Sequence, residues 1–164
     1  MKEKLWGGRF KEELHPLVLE FTKSIDYDWF LFEYEAISDM AWIRALRRAG
    51  MLNADEEGKL ITAIEEILED FSAKKVKIEF EEEDIHSFFY KLLRKKVKGL
   101  VDKIHAGKSR NEQIVTLMRM FLRDAILEEL NLINDLQLAM VNKGLEYKDT
   151  VIPGFTHLQF AQPL

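Results

Sequence analysis

The sequence predicts an all-α protein, and three observations lead to this prediction. Only three prolines occur in the 164 residues, Pro16, Pro153 and Pro163. The long intervals between them are rich in Leu, Ile, Glu and Lys, which favour helix. Apolar residues also recur at helical spacing, and capping signals precede two of the segments. We therefore expect helix almost throughout the chain.

The first fifty residues predict an irregular arm followed by a helix. Residues 1–12 include Gly7-Gly8, which disfavours an early helix. A first helix is predicted from about Asp26 to Ala49. Gly50 is suited to its C-cap, because glycine adopts the left-handed conformation that ends many helices.

Two further helices are predicted before residue 100. Asn53 and Glu56 have the spacing of a capping box, which predicts a second helix over about 54–72. Residues 77–80 alternate in polarity and predict a short extended piece. An acidic run then leads into a helix over about 85–96, where acidic residues suit the positive end of the helix dipole.

A very long helix is predicted after the stretch His105–Gln113. Ser109 and Glu112 form a second capping box, and the helical pattern continues over about 110–145, roughly 54 Å of helix. The last segment, residues 151–164, predicts a structured loop. We place a helical domain at residues 1–105 and the start of a long-helix bundle at 106–164.

This long helix predicts partners, because its apolar stripe is too broad for the preceding residues to cover alone. The covering helices are expected from other subunits of a homo-oligomer or from sequence after residue 164. The chain therefore reads as an incomplete piece of a larger protein.

Composition excludes several classes of function. The net charge of −5 argues against a general nucleic-acid-binding surface. The sequence has no cysteine, which excludes disulfides and thiolate metal sites, and no apolar stretch approaches the ~18 residues of a membrane span. We expect a cytoplasmic protein that binds neither nucleic acid nor membrane.

The start of the long helix predicts an anion-binding site. A helix N-terminus presents free N–H groups and a partial positive charge, and Ser109, Arg110 and Asn111 add side-chain donors there. The alternative is a capping turn without a ligand, which explains everything except Arg110 and Asn111. A P-loop is excluded because Asp102 stands where that motif requires glycine.

A polar loop near the C-terminal end offers a candidate acid or base. Thr156-His157 lies between Gly154 and Pro163, with Gln159 beside it, and an imidazole there could exchange a proton near neutral pH. The alternative is an ordinary surface histidine.

Other polar residues have plain structural explanations. His86 is expected to be a helix-end residue bonded to a neighbour, and the histidine spacings give no metal site. Ser24 and Asp28 lie four residues apart at a helix start, where capping alone would explain Ser24.

Five segments together carry a family resemblance: Leu5–Phe10 (Leu-Trp-Gly-Gly-Arg-Phe), Thr22–Asp28, Glu83–His86 (Glu-Asp-Ile-His), His105–Gln113 and Pro153–Pro163. In this order they resemble argininosuccinate lyase, of the fumarase and aspartase superfamily. The Trp-Gly-Gly-Arg-Phe opening favours this lyase over its sister enzymes.

The resemblance implies reversible β-elimination of argininosuccinate to arginine and fumarate, as in arginine biosynthesis and the urea cycle. It implies a homotetramer with a helical bundle, and neither metal nor organic cofactor. His157 is implied as the catalytic acid or base, with the superfamily's loop serine as its partner; which is acid and which is base stays open. The implied substrate-binding residues are Ser24, Asp28, Ser109, Arg110, Asn111 and Thr156, supported by His86 and Gln159.

The sequence also departs from the resembled pattern. The superfamily's serine loop is absent from the 164 residues, so we expect this chain alone to lack lyase activity. Individual departures are Asp39 where serine is usual, Tyr90 where Glu is common, Ala106 for Thr, Lys108 for Arg, Glu112 for Asp and Phe160 for Arg.

Two alternatives remain open. One is a sister lyase that releases fumarate from another substrate, as adenylosuccinate lyase does. The other is a non-catalytic structural or interaction protein on the same scaffold.

Overall fold

The computed structural model describes residues 15–80 and 82–163, so the predicted arm at residues 1–12 and the Leu5–Phe10 segment lie outside the described part. Within these described residues, seven α-helices, a 3₁₀ turn and one hairpin follow in order: α1 Pro16–Thr22, α2 Ile25–Asp28, the 3₁₀ turn Trp29–Leu31, α3 Phe32–Arg48, α4 Ala54–Ser72, α5 Ile85–Lys96, α6 Val101–Ile104, α7 Arg110–Glu146, β1 Pro153–Thr156 and β2 Gln159–Pro163. The all-α prediction is confirmed.

The three helices with the strongest local signals were predicted with their bounds. Predictions for α4, α5 and α7 agree with the structure to within one residue. At the start of α4 the capping box is complete. Asn53 Oδ1 accepts from Glu56 N at 2.9 Å, and Glu56 Oε2 accepts from Asn53 N at 3.0 Å. Both orphan amides are thereby satisfied, which fixes the first turn.

The predicted continuous helix over 26–49 is wrong in its first part. The chain forms α2, then the 3₁₀ turn, and only then α3. The end is as expected, since Gly50 follows the helix with φ +75°. Its amide donates to Arg47 O at 3.1 Å, and Met51 N donates to Leu46 O at 3.0 Å, which together form a Schellman motif.

Four other segments were not predicted correctly. The short helices α1 and α6 carry no signal that we recognised. Residues 77–80, predicted to be extended, belong to no strand in the described chain. The loop predicted for residues 151–164 contains an antiparallel hairpin of β1 and β2.

The core lies between α3, α4, α5 and the first turns of α7. Phe32 is 1% exposed, and its ring stacks on Phe71 with centroids 4.2 Å apart and meets Phe89 edge-on at 5.4 Å. Leu117 of α7 is fully buried in the same cluster. Each such side chain contributes roughly 1.5–3 kcal/mol on burial, so this cluster fixes where α7 begins.

The chain divides into two units between Phe121 and Leu122, within α7. The first unit holds the core. In the second, eleven large apolar side chains of α7 from Leu122 to Leu145 are 44–67% exposed. The domain boundary expected at residue 105/106 stays a prediction.

None of the helices in the described chain combines the length and apolarity needed to cross a membrane.

Candidate functional site

The first element of the site is the turn that leads into α7. His105 caps α6, Gly107 has φ +70°, and Lys108 N donates to His105 O at 3.2 Å. A Cβ on Gly107 would lie 3.5 Å from Cζ2 of Trp42, whose Nε1 donates to Ile104 O at 3.0 Å. The turn is therefore tight and rests on an indole ring, which fixes the direction of the helix start.

The donors predicted at the tip of α7 are accessible. Ser109 and Asn111 are exposed and Arg110 is half-buried. Ser109 O accepts from Gln113 N at 3.0 Å, which makes Ser109 the residue just before the first helical turn. The first amides of the 37-residue helix thus lie beside these side chains, as an anion site requires. The side-chain bonds of the Ser109 and Glu112 capping box stay a prediction.

A second element brings Ser24 and Asp28 to the start of α5. Ser24 Oγ donates to Asp28 Oδ2 at 2.8 Å, and Asp28 Oδ1 accepts from Ile85 N at 3.1 Å. Ser24 N donates to Glu83 O at 2.8 Å. The Ser24 hydroxyl makes no capping bond, so the explanation that capping alone accounts for Ser24 is wrong.

Asp28 lies in an environment that disfavours its charge. Burial raises the pKa of the Asp28 carboxyl most, while the Ser24 hydrogen bond lowers it and the nearby Asp84 raises it. The backbone bond from Ile85 holds this carboxyl in place. Asp28 is therefore a rigid acceptor at the edge of the site.

Asp84 joins the two elements, and sequence reasoning gave it no role. Its Oδ1 accepts from Ser87 N at 2.7 Å and caps α5, while its Oδ2 pairs with Arg110 Nη2 at 3.1 Å. Through Asp84 and its neighbour Ile85, the structure brings Ser24, Asp28 and Arg110 together. The available signal was an Asp at a helix N-cap, within the Glu83–His86 motif.

His86 lies in the core and not at the tip. Its Nδ1 is 2.7 Å from Glu35 Oε2, and Gln113 Nε2 donates to Glu35 Oε1. Glu35, His86 and Gln113 are all buried and come from α3, α5 and α7. A position behind the first turn of α7 suits the expected supporting role of His86.

A second buried polar cluster consists of Asp39, Tyr90 and Lys108. Lys108 Nζ donates to Asp39 Oδ1 and to Tyr90 Oη, the latter at 2.9 Å. The pKa of Asp39 is raised to about 7, mainly by burial and then by the charge of Glu35, while Lys108 opposes the rise. Burial and the nearby Asp39 also raise the pKa of Tyr90. Lys108 is thus directed inward, away from any ligand at the tip.

His105 lies beside this cluster. Its ring centroid is 4.3 Å from that of Tyr90, and burial lowers its pKa, helped by Lys108 and Arg110. Burial and the two nearby cations therefore disfavour the charged form of this imidazole in the folded chain.

The remaining predicted residues lie on the hairpin, in the second unit. Thr156 pairs with Gln159, and His157 and Leu158 form the two-residue turn between them with φ +52° and +61°. Such a turn favours Asn-Gly, so His157 is held in a backbone conformation that costs energy. The hairpin brings Thr156, His157 and Gln159 together at an exposed tip. The acid or base role implied for His157 stays a prediction.

Ligand groups for a metal are not assembled in this site. Among the residues that the structure describes, no three His, Asp or Glu side chains are grouped so that they could hold a metal ion.

Comparison with known proteins gives a consistent result. The profile of a family described as lyase matches residues 8–164. The argininosuccinate lyase of Heliobacterium mobile is 37% identical over 164 residues, all of this chain and 36% of that protein. That of Desulforudis audaxviator is 38% identical over 161 residues, 98% of the chain and 35% of the relative. The argininosuccinate lyase of Streptococcus suis is 34% identical over 162 residues, which are 99% of this chain and 35% of that protein. The chain thus spans about a third of the length of these curated relatives.

Proposed function

The chain belongs to the lyase family matched over residues 8–164, and on this premise we propose that it forms the anion-binding part of an argininosuccinate lyase. The proposed reaction is the reversible β-elimination of argininosuccinate to arginine and fumarate, in a cytoplasmic enzyme of arginine biosynthesis. The five motif segments and the relatives named argininosuccinate lyase support this substrate.

The observation that carries the proposal is the arrangement at the tip of α7. Exposed Ser109 and Asn111 lie beside the free amides of a long helix, and Arg110 is held by Asp84. Helix dipole, amides and side-chain donors all favour a carboxylate at this point. In the proposed complex these three residues hold a carboxylate of the succinyl group, and Ser24 and Asp28 border it.

The chemistry needs such donors. Removing a proton from the carbon next to a carboxylate places a second negative charge on that carboxylate in the transition state. Donors that are already oriented stabilise this charge without reorganisation, and losing one typically costs a factor of about 10²–10³ in kcat. The same donors can therefore contribute both to substrate binding and to the rate of proton removal.

His157 is the proposed proton-transfer residue, because an imidazole can exchange a proton near neutral pH. Thr156 and Gln159 flank it on the hairpin and are proposed to border the substrate. The exposed apolar residues of α7 support a homo-oligomer, or a complex with the C-terminal part of such an enzyme, as the active form.

The test is fumarate release from argininosuccinate, followed by ultraviolet absorbance. The chain is assayed alone and after co-expression with the part of the Heliobacterium mobile lyase beyond the match. We expect release in the mixture and little from the chain alone. Arg110→Ala and His157→Ala should each lower kcat at least a hundredfold, whereas Arg48→Ala and His15→Ala, at exposed positions, should not.

Other results would contradict the proposal. Release from adenylosuccinate but not from argininosuccinate would indicate a sister lyase. If neither substrate reacts in a mixture that forms a stable complex, the scaffold serves a non-catalytic role.

A further inference from the structure

The cluster of Asp39, Tyr90 and Lys108 lies directly behind the turn into α7. Asp39 is fully buried, Tyr90 is 2% exposed, and the Lys108 side chain is 10% exposed. Tyr90 Oη also donates to Asp39 Oδ1 at 3.4 Å. The Lys108 ammonium group thus connects the turn to both α3 and α5 through hydrogen bonds.

The Lys108 contacts lie next to the residues that the proposed function uses. Lys108 is bonded to Ser109 and lies two residues before Arg110. The preceding part of the turn lies beside Trp42, whose Nε1 donates to Ile104 O at 3.0 Å and whose ring would lie 3.5 Å from a Cβ on Gly107. The charged hydrogen bond from the Lys108 ammonium lies closer to the helix start and adds to the restraint that Trp42 places on the direction in which the chain enters α7.

The cluster is not explained by stability alone. A buried ion pair is often no more stabilising than apolar side chains of similar size, because both charges lose their hydration. Among the described atoms, Asp39 Oδ2 is buried without any hydrogen-bond partner, which adds to the cost. An unfavourable buried carboxylate that contacts the turn indicates a positioning role.

We propose that Asp39 is a positioning residue for the tip of α7: through Lys108 it sets the orientation in which Ser109, Arg110 and Asn111 meet an anionic ligand. The inference rests on the proposed function in that the ligand is the carboxylate assigned there. Asp39 itself touches no substrate.

The test uses the full chain labelled with ¹⁵N. Backbone amide resonances of Ser109, Arg110 and Asn111 are recorded without ligand and during titration with fumarate. Asp39→Asn should shift these resonances and weaken fumarate binding about tenfold. Asp55→Asn is the matched control, because Asp55 Oδ2 pairs with Lys59 Nζ at 2.6 Å on the surface of α4. This variant should change neither the three resonances nor the fumarate affinity.

Two further variants keep the test decisive. Lys108→Met removes the hydrogen bonds of the ammonium group but retains the Asp39 carboxyl. It should therefore shift the same resonances even if Asp39→Asn does not fold. The double variant Asp39→Ser with Tyr90→Glu places the acid at position 90, the other position that Lys108 contacts, and should restore most of the fumarate affinity, which a loss of stability alone would not predict.

The pH dependence provides an independent measurement. Glu35, Tyr90 and Lys108 face Asp39, and its pKa is raised to about 7. The Ser109–Asn111 resonances of the unaltered chain should therefore titrate with a midpoint near this value, and those of Asp39→Asn should not.

The outcomes separate the two proposals. Resonances that shift in Asp39→Asn and Lys108→Met support the positioning role, even if the unaltered chain binds no fumarate and the proposed function fails. Unchanged resonances at 109–111 in a folded Lys108→Met chain overturn the inference, whatever the fumarate affinity.

Discussion

Glu35 offers the sharpest test of how the first unit is held together. Its carboxylate is fully buried and links two helices, since Oε2 lies 2.7 Å from His86 Nδ1 and Oε1 accepts from Gln113 Nε2. The perturbation is Glu35→Ala, which removes both acceptor oxygens and leaves the two partners buried.

The magnitude follows from the two groups left without a partner. Each unsatisfied buried polar group costs about 1–3 kcal/mol, so the two partners left unbonded together cost about 2–6 kcal/mol. We expect Glu35→Ala to lower the free energy of unfolding by about 2–6 kcal/mol. The free energy of unfolding of a typical domain is about 5–15 kcal/mol, so this loss would remove a large fraction of it. Glu35→Gln keeps the shape and one acceptor, and should cost about 1–2 kcal/mol.

The assay is urea unfolding of the full chain followed by far-ultraviolet circular dichroism. Glu65→Ala is the matched control, because Glu65 is exposed on α4, and it should change the free energy by less than about 0.5 kcal/mol. If Glu35→Ala costs no more than Glu65→Ala, the buried carboxylate does not hold α5 and α7 as described.

Three other predictions use the same unfolding assay. Lys74 has φ +57° at the end of α4, a left-handed conformation that is strained for any residue except glycine. Lys74→Gly should therefore stabilise the chain by about 1 kcal/mol, and a destabilised variant would contradict this backbone strain. The pKa of Asp39 is raised to about 7 from 3.8, so the folded chain holds this proton longer than the unfolded chain and stability falls as pH rises through that window. The slope is at most about 1.4 kcal/mol per pH unit and should be absent from Asp39→Asn; equal slopes in the two chains would refute it. The pKa of His105 is lowered by burial, so stability should fall as pH drops below about 6.5, the pKa of a free histidine, and His105→Gln should lessen that fall.

The elements predicted correctly are those with signals contained in a few neighbouring residues. The capping box of Asn53 and Glu56 spans four residues, and its hydrogen bonds form within one helical turn. The 3₁₀ turn Trp29–Leu31 was missed because 3₁₀ and α-helices differ by one residue in bond spacing, and apolar periodicity does not resolve that difference.

The sequence named residues for the candidate site but did not indicate their contacts. The tip residues Ser109, Arg110 and Asn111 were recognised because helix starts have a known electrostatic character. The ion pair of Arg110 with Asp84 was not recognised, because it joins two helix starts that lie far apart in the sequence.

The sequence by itself determined the bounds of α4, α5 and α7, because caps, periodicity and propensity act over three or four residues. The tertiary structure alone decided which polar groups are buried together: Glu35 meets His86 across 51 positions, and Asp39 meets Lys108 across 69. Such pairs depend on how several helices pack around one core. The inward direction of Lys108 is set by that packing and by no local preference.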